Sequence, residues 1–278
     1  MKYVFFGTPE FAEIILRELI EAGLPPVAVV CNPDRPVGRK RVITPPPTKI
    51  VAQKHKIKVY QPETKSELLE LSDELGKVAN FAVVAAYAKI VPQAVIDNFK
   101  LGIIGVHPSM LPKYRGASPI QSAILAGEQK TGTTLFMIEA GMDSGPILTQ
   151  QEVEVNRKYY QALLRDLADT SAKVLIDTLP AFVKSSVLPQ VQDDSQATYT
   201  KLFETADAKV DQGDLEKALS GDESQAWRIE RMVRALNPEP GTFSIVDGKR
   251  IKFLRARVEG GKLVLEETQK EGKRPQRV

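Results

Sequence analysis

The first 31 residues do most to limit what this chain can fold into. Lys2–Phe6 is a short apolar run ending at Gly7, the stretch from Phe11 to about Ala22 is amphipathic, and Pro26–Cys31 is a second apolar run. Thr8 stands where an N-cap belongs, Pro9 suits the first helical position, and Gly23 closes the helix. Strand, helix and strand at this spacing call for a parallel sheet with a right-handed crossover. Phe81–Ala86 is a continuous apolar run, as expected of a strand covered on both faces, and Gly102–His107 is another strand. Further strands are expected near Lys58–Tyr60, Thr133–Ile138 and Pro146–Val155. Helices are expected over Thr48–His55, Ser66–Lys77, Pro92–Asn98, Pro119–Ala126 and Tyr159–Val183. Asn32–Pro47 contains five prolines and Gly38, which excludes regular structure over most of it. A loop of that length inside an α/β domain is usually functional.

Leu188–Ala206 is polar and mixed, and reads as a linker. Beyond it come a helix near Ser224–Leu236, the break Asn237-Pro238-Glu239-Pro240-Gly241, and β-prone runs at 242–246, 250–256 and 262–266. The expected division is 1–186, a linker 187–206, and a small β-rich domain 207–278. No apolar run approaches the roughly 20 residues that span a bilayer, and the N-terminus lacks the pattern of a signal peptide. Cys31 is the single cysteine and has no partner for an internal disulfide, which fits a reducing, cytoplasmic setting. At the end of an apolar run, it reads as a buried thiol.

Net charge is +3, and it is unevenly spread. Residues 34–49 carry Arg35, Arg39, Lys40, Arg41 and Lys49 against Asp34, a net +4. Residues 249–278 carry ten Lys or Arg against four Glu, a net +6, so the remainder sums to −7. Two basic segments on an acidic body suit a polyanionic partner, although the loop alone could equally be solvated surface charge.

The chain has two histidines. His55 lies in the basic helix end Gln53-Lys54-His55-Lys56 and reads as solvated. His107 ends an apolar strand and runs straight into Pro108-Ser109 and a Gly/Pro-containing loop. Open α/β sheets bind ligands outside the carboxyl ends of their strands, and histidine suits proton transfer near neutral pH. Asp143 sits between glycines in Gly141-Met142-Asp143-Ser144-Gly145. A tight loop of this kind can bring a carboxylate beside an imidazole and fix its tautomer; serving the turn itself is the simpler role. Two distant histidines and one cysteine do not make a metal site, and no phosphate-binding glycine motif occurs.

Several runs resemble the methionyl-tRNA formyltransferase family. They are Phe6-Gly7-Thr8-Pro9-Glu10-Phe11-Ala12, Asn32-Pro33-Asp34-Arg35-Pro36-Val37-Gly38-Arg39, Val83-Val84-Ala85-Ala86-Tyr87 with Ala88 in place of a glycine, and Val106 to Gly116 around His107. Thr131-Gly132-Thr133-Thr134, Gly141 to Gly145, and Arg234 to Phe243 continue the similarity, in order, over nearly the whole chain. The resemblance implies a Rossmann-like formyltransferase domain followed by a shortened OB-like domain. It implies 10-formyltetrahydrofolate as formyl donor, no metal, initiator methionyl-tRNA as acceptor, and a monomer without membrane attachment. It puts catalytic roles on His107 and Asp143, folate contacts on Ser109, Met110, Leu111, Pro112, Tyr87 and Ala88, and tRNA contacts on Arg35, Arg39, Lys40 and Arg41.

One departure bears on the chemistry. The third catalytic position of the family is the Asn of an N-x-H triplet, and here the triplet is Gly105-Val106-His107. Residues i and i+2 of a strand share a face, so the family's amide would act beside the imidazole. Losing one oxyanion donor costs about 10²–10³ in rate. A slowed enzyme using water or another donor, an inactive folate or tRNA binder, and a variant made to trap a complex are the resulting alternatives. A sugar-amine formyltransferase, which shares the fold and the His–Asp pair, is a further one.

Overall fold

A computed structural model describes residues 1–278 apart from Arg39 and Ala88, so the expectations that fall on those two lie outside the described residues. In chain order the elements are β1 (Tyr3–Gly7), α1 (Glu10–Glu21), β2 (Ala28–Val30), β3 (Arg35–Val37), β4 (Val42–Thr44), α2 (Pro47–Lys54), β5 (Lys58–Tyr60), α3 (Lys65–Gly76), β6 (Phe81–Ala85), α4 (Gln93–Ile96) and β7 (Ile103–His107). There follow β8 (Arg115–Gly116), α5 (Pro119–Ala126), β9 (Lys130–Met137), β10 (Ile147–Glu154), α6 (Tyr160–Val183) and β11 (Tyr199–Thr200). The last are β12 (Lys209–Val210), α7 (Gln212–Ser220), α8 (Glu223–Leu236), β13 (Phe243–Val246), β14 (Lys249–Glu259), β15 (Lys262–Lys270) and β16 (Gln276–Arg277).

The contacts gather these elements into two compact units, each built from three stretches. The first unit takes Met1–Arg115, Gly132–Val153 and Leu164–Thr198; the second takes Gly116–Thr131, Glu154–Leu163 and Tyr199–Val278. The linear division at 186 and 206 follows the sequence, whereas the contacts interleave the two units along the chain.

In the first unit a seven-stranded sheet runs in the order β10-β9-β7-β6-β1-β2-β5. β1 pairs in parallel with β2 and β6, β2 with β5, and β6 with β7, while β9 lies antiparallel to β7. β1 is buried at all five positions because helices cover both of its faces. Phe11, Ala12, Ile14, Ile15, Leu16 and Leu19 form the buried stripe of α1 at helical spacing. Fully burying side chains such as Phe5, Phe6 and Leu19 stabilises by about 1.5–3 kcal/mol each. Connections pass to opposite sides of β1, so the strand order reverses between β1 and β6. The crevice for a ligand is expected at the carboxyl ends of these strands, where Gly7, Ala85 and His107 terminate β1, β6 and β7.

Three local expectations are corrected. Pro9, not Thr8, occupies the N-cap of α1, and no side chain caps that helix. The Thr8 hydroxyl instead accepts from the Asn32 amide at 3.1 Å, which ties the start of α1 to the end of β2. The stretch read as irregular over 32–47 contains an antiparallel ribbon, with Arg35, Pro36 and Val37 opposite Thr44, Ile43 and Val42. A two-stranded ribbon has free edges, and Pro36 is tolerated where its missing N–H would face outward. The stretch read as a linker belongs to the first unit up to Thr198, where Ile147 and Gln190 exchange both backbone hydrogen bonds, at 2.7 and 2.8 Å.

The second unit packs α5, α7 and α8 with a sheet in the order β12-β13-β14-β15-β16, antiparallel except for β12 with β13. Helix α7 carries too few apolar residues to stand out in the sequence; it buries only Leu215 and Ala218. Asn237 ends α8 by donating to the Val233 and Phe253 carbonyls, both at 2.8 Å.

Candidate active site

His107 is the last residue of β7 and is 6% exposed. Its Nε2 lies 2.9 Å from the Tyr114 carbonyl oxygen. A carbonyl only accepts, so Nε2 carries a proton and Nδ1 is the nitrogen that gains or loses one. Nδ1 lies 3.6 Å from Asp143 Oδ2. That distance is longer than a hydrogen bond, and it sets the carboxylate beside the second ring nitrogen. Sequence spacing alone could not bring residues 107 and 143 together; the antiparallel return of β9 beside β7 does so.

The loop that follows His107 is fastened from within. Ser109 is fully buried, its hydroxyl donates to the Lys113 carbonyl at 2.6 Å, and its carbonyl accepts from Thr134 Oγ1 at 2.7 Å. The Leu111 amide donates to the same Thr134 oxygen, and Gln150 Nε2 bridges the Leu111 carbonyl and that oxygen at 2.8 and 2.9 Å. Met110 and Pro112 are half-buried. The polar side chain of the expected folate segment is therefore spent on loop structure, and what 109–112 offers a ligand is shape and apolar surface.

Tyr87 is also committed to the scaffold. Its ring packs edge-on against Phe6 at 5.5 Å, and its carbonyl accepts from Asn32 Nδ2 at 3.2 Å. Its hydroxyl is buried without a hydrogen-bond partner, and burial pushes its pKa up to about 12, so the phenol stays neutral. Cys31 is fully buried, as read from the sequence, and burial pushes its thiol up to about 11. His55 caps the end of α2 in an exposed position.

Gly105 lies two residues before His107 on β7 and opposite Phe136 on β9. A Cβ built on Gly105 would collide with the Phe136 ring. The aromatic ring thus fills the space into which a side chain at 105 would project, and it is itself 4% exposed. The β7 face beside His107 presents an aromatic wall where the resemblance implied an amide. Phe136 was not singled out from the sequence; the antiparallel register is what reveals it.

The basic ribbon is arranged differently. Arg35, Lys40 and Arg41 are exposed, as are Val37, Val42 and Ile43. At its base Lys49 Nζ contacts Asp34 at 2.8 Å and Gln61 Oε1 at 2.8 Å. The Lys49 and Gln61 hydrogen bonds hold the Asp34 carboxyl below its ordinary pKa. Lys49 and Asp34 so neutralise one another, and among the described residues the outward charge of the ribbon comes from Arg35, Lys40 and Arg41.

Among the described residues no helix is long and apolar enough to cross a membrane, and no cluster of three His, Cys, Asp or Glu is arranged around a metal-sized site. Residues 1–179 match the formyl transferase family and residues 223–263 match the formyl transferase C-terminal domain. The methionyl-tRNA formyltransferase of Chloroflexus aurantiacus is 39% identical over 259 residues, covering 93% of this chain and 80% of that protein. Among solved structures, methionyl-tRNA formyltransferase from Clostridium thermocellum superposes with a TM-score of 0.60 at 18% identity, covering 97% of this chain and 98% of the other. An N-formyltransferase from Helicobacter canadensis, solved with folinic acid and dTDP-3-aminofucose, gives a TM-score of 0.66 at 19% identity, covering 93% of this chain and 88% of that one. At those identities the two structures speak for the fold alone.

Proposed function

The chain belongs to the formyl transferase family, and on that premise we propose that it moves the formyl group of 10-formyltetrahydrofolate to the amino group of initiator methionyl-tRNA. It is a one-carbon transferase, and its relatives at 37–40% identity carry the name methionyl-tRNA formyltransferase. We further assign the reaction centre to His107 and Asp143, and the protein to the cytoplasm as a monomer. The observation that carries this reading is the imidazole Nδ1 facing the Asp143 carboxylate at the carboxyl edge of the sheet.

The chemistry follows from those groups. The amine attacks the formyl carbon, a C–N bond forms, and the carbonyl oxygen becomes an oxyanion. His107 Nδ1 takes the proton that the amine sheds, and the imidazolium so formed donates toward the oxyanion with Asp143 as its counter-charge. The bond to N10 of the folate then breaks, and N10 receives the proton. The products are formylated amine and tetrahydrofolate. The Nε2 bond to Tyr114 keeps the ring in one orientation throughout. The folded segment 109–112 and the loop carried by Tyr87 are the walls assigned to the folate. Arg35, Lys40 and Arg41 are assigned to the acceptor end of the tRNA, whose phosphates they attract.

With Gly105 and Phe136 where an amide donor would stand, oxyanion stabilisation falls more heavily on His107. An inactive binder is the second reading that this feature favours. Incubation with 10-formyltetrahydrofolate and methionyl-tRNA should yield formylmethionyl-tRNA. Tight tRNA binding with no turnover would support the binder instead, and turnover of a dTDP-amino sugar without turnover of tRNA would move the acceptor to a sugar amine.

A further inference from the structure

The segment 190–198 contacts both loops that carry the reaction centre. Gln192 is 7% exposed. Its Nε2 donates to the carbonyl of Asp143 at 2.9 Å and to that of Gly145 at 2.7 Å. Its Oε1 accepts from Arg115 Nε at 3.2 Å and from Nη2 at 2.8 Å. Arg115 is 2% exposed, and its Nη2 also meets Asp194 at 2.7 Å. Six residues on, Thr198 Oγ1 accepts from the Tyr114 amide at 2.8 Å, and its carbonyl accepts from the Arg115 amide at 2.9 Å. Tyr114 is the residue whose carbonyl holds His107. One strap therefore grips the loop behind Asp143 and the loop behind His107 at once.

The grip matters because Asp143 is backbone-strained. Its φ is +49°, in the left-handed region that costs a non-glycine residue energy unless its surroundings impose it. The Asp143 carbonyl in this turn accepts from Gln192 Nε2. A buried glutamine offers two donors and an acceptor, and here it donates twice to the acid's loop and accepts from a buried guanidinium.

We propose that Gln192 is a positioning residue for the His107–Asp143 pair, acting through the main chain of 143–145 and without touching substrate. This rests on the reading of His107 and Asp143 as the reaction centre. Loss of the amide lets the Asp143 loop relax from its left-handed turn, and Nδ1 loses its counter-charge. An ångström-scale misplacement of this kind costs about 10- to 100-fold in rate.

The experiment compares Gln192→Glu and Gln192→Ala with the parent chain and with His107→Asn. It uses folded protein only, and measures kcat, KM for methionyl-tRNA, and the pH profile of kcat. Gln192→Glu keeps an acceptor for Arg115 and removes the donors to 143 and 145, so it should remain folded even where Gln192→Ala does not. The expected result is a 10- to 100-fold fall in kcat, KM within about threefold of the parent, and an altered acid limb in the pH profile. Parental kcat and pH profile in Gln192→Glu, with His107→Asn inactive, would overturn the strap and leave the reaction centre standing. A rise in KM alone would overturn it too. Full activity of His107→Asn would remove the reaction centre, and the strap with it.

Discussion

The corner around His107 and the basic ribbon both follow carboxyl ends of strands in the same parallel sheet, yet they are held in opposite ways. The corner is buried and fastened by Ser109, Thr134, Gln150 and Gln192, each bonding the main chain of a loop. Among the described residues the ribbon has three cross-strand pairs, exposed side chains along both strands, and an ion pair at its foot. The difference suits the roles proposed for the two regions. Proton transfer fails when groups drift by about an ångström. Attraction between exposed cations and phosphates extends over a Debye length of about 8 Å at physiological salt and tolerates an imprecise arm.

Substitutions at the two regions should therefore separate cleanly, the corner in kcat and the ribbon in KM. The largest effect is expected for His107→Asn, a fall of about 10²–10⁴ in kcat with tRNA affinity kept; single-turnover formylation alongside tRNA filter binding reads both. A loss of affinity without a loss of rate would erase the contrast. Next comes Gly105→Asn. Because its Cβ meets the Phe136 ring, the single change should overpack the strand pair, lowering stability by about 1–3 kcal/mol without raising the rate. Combined with Phe136→Val, the same asparagine should be tolerated and should gain activity. A double-mutant cycle in urea checks the pairing, with a coupling of about 0.5–3 kcal/mol expected; additive effects would mean that the ring and residue 105 are unrelated.

Replacing Arg35, Lys40 and Arg41 together by alanine should leave kcat unchanged. The slope of log K for tRNA against log salt should become shallower by about two to three; an unchanged slope would take the ribbon out of the interface. The smallest effect belongs to the foot of the ribbon. The Lys49 and Gln61 hydrogen bonds depress the folded pKa of Asp34. Its contribution to stability is thus fully present above the unfolded carboxylate value of about 4 and is lost as pH falls through the lower folded value. Asp34→Asn should lower the melting temperature slightly at neutral pH, flatten its dependence on pH across that acid window, and match the parent below it. Equal acid sensitivity in the two proteins would show that the pair does not hold the ribbon.

The legibility of these regions in the sequence also differed, for physical reasons. β1, β6 and β7 declare themselves because a strand covered on both faces must be apolar at every position. His107 stands out as a candidate because a titratable group ends an otherwise apolar strand. Asp143 was legible only through resemblance, since its neighbours read equally well as a turn. Gln192 gave no signal at all: a polar residue in a polar stretch looks solvated, and its burial depends on Arg115, 77 positions away. The ribbon was obscured by its prolines, whose cost is real in a sheet interior and slight at a free edge. Phe136 looked like ordinary core until the register set it over a glycine.

The interleaving of the two units reaches back to how the chain is made. Helix α5 packs against α8 within the second unit, yet about a hundred residues separate them, and a ribosome adding about 5–20 residues per second leaves α5 waiting some 5–20 s for its partner. The first unit is likewise incomplete until the strap up to Thr198 has emerged, since Gln192 and Thr198 close its two loops. Neither unit can be excised as one continuous piece. An interruption of synthesis before Thr198 leaves apolar surface of both units uncovered, one between Thr198 and α8 leaves that of the second unit, and the nascent chain depends for that interval on whatever shields it.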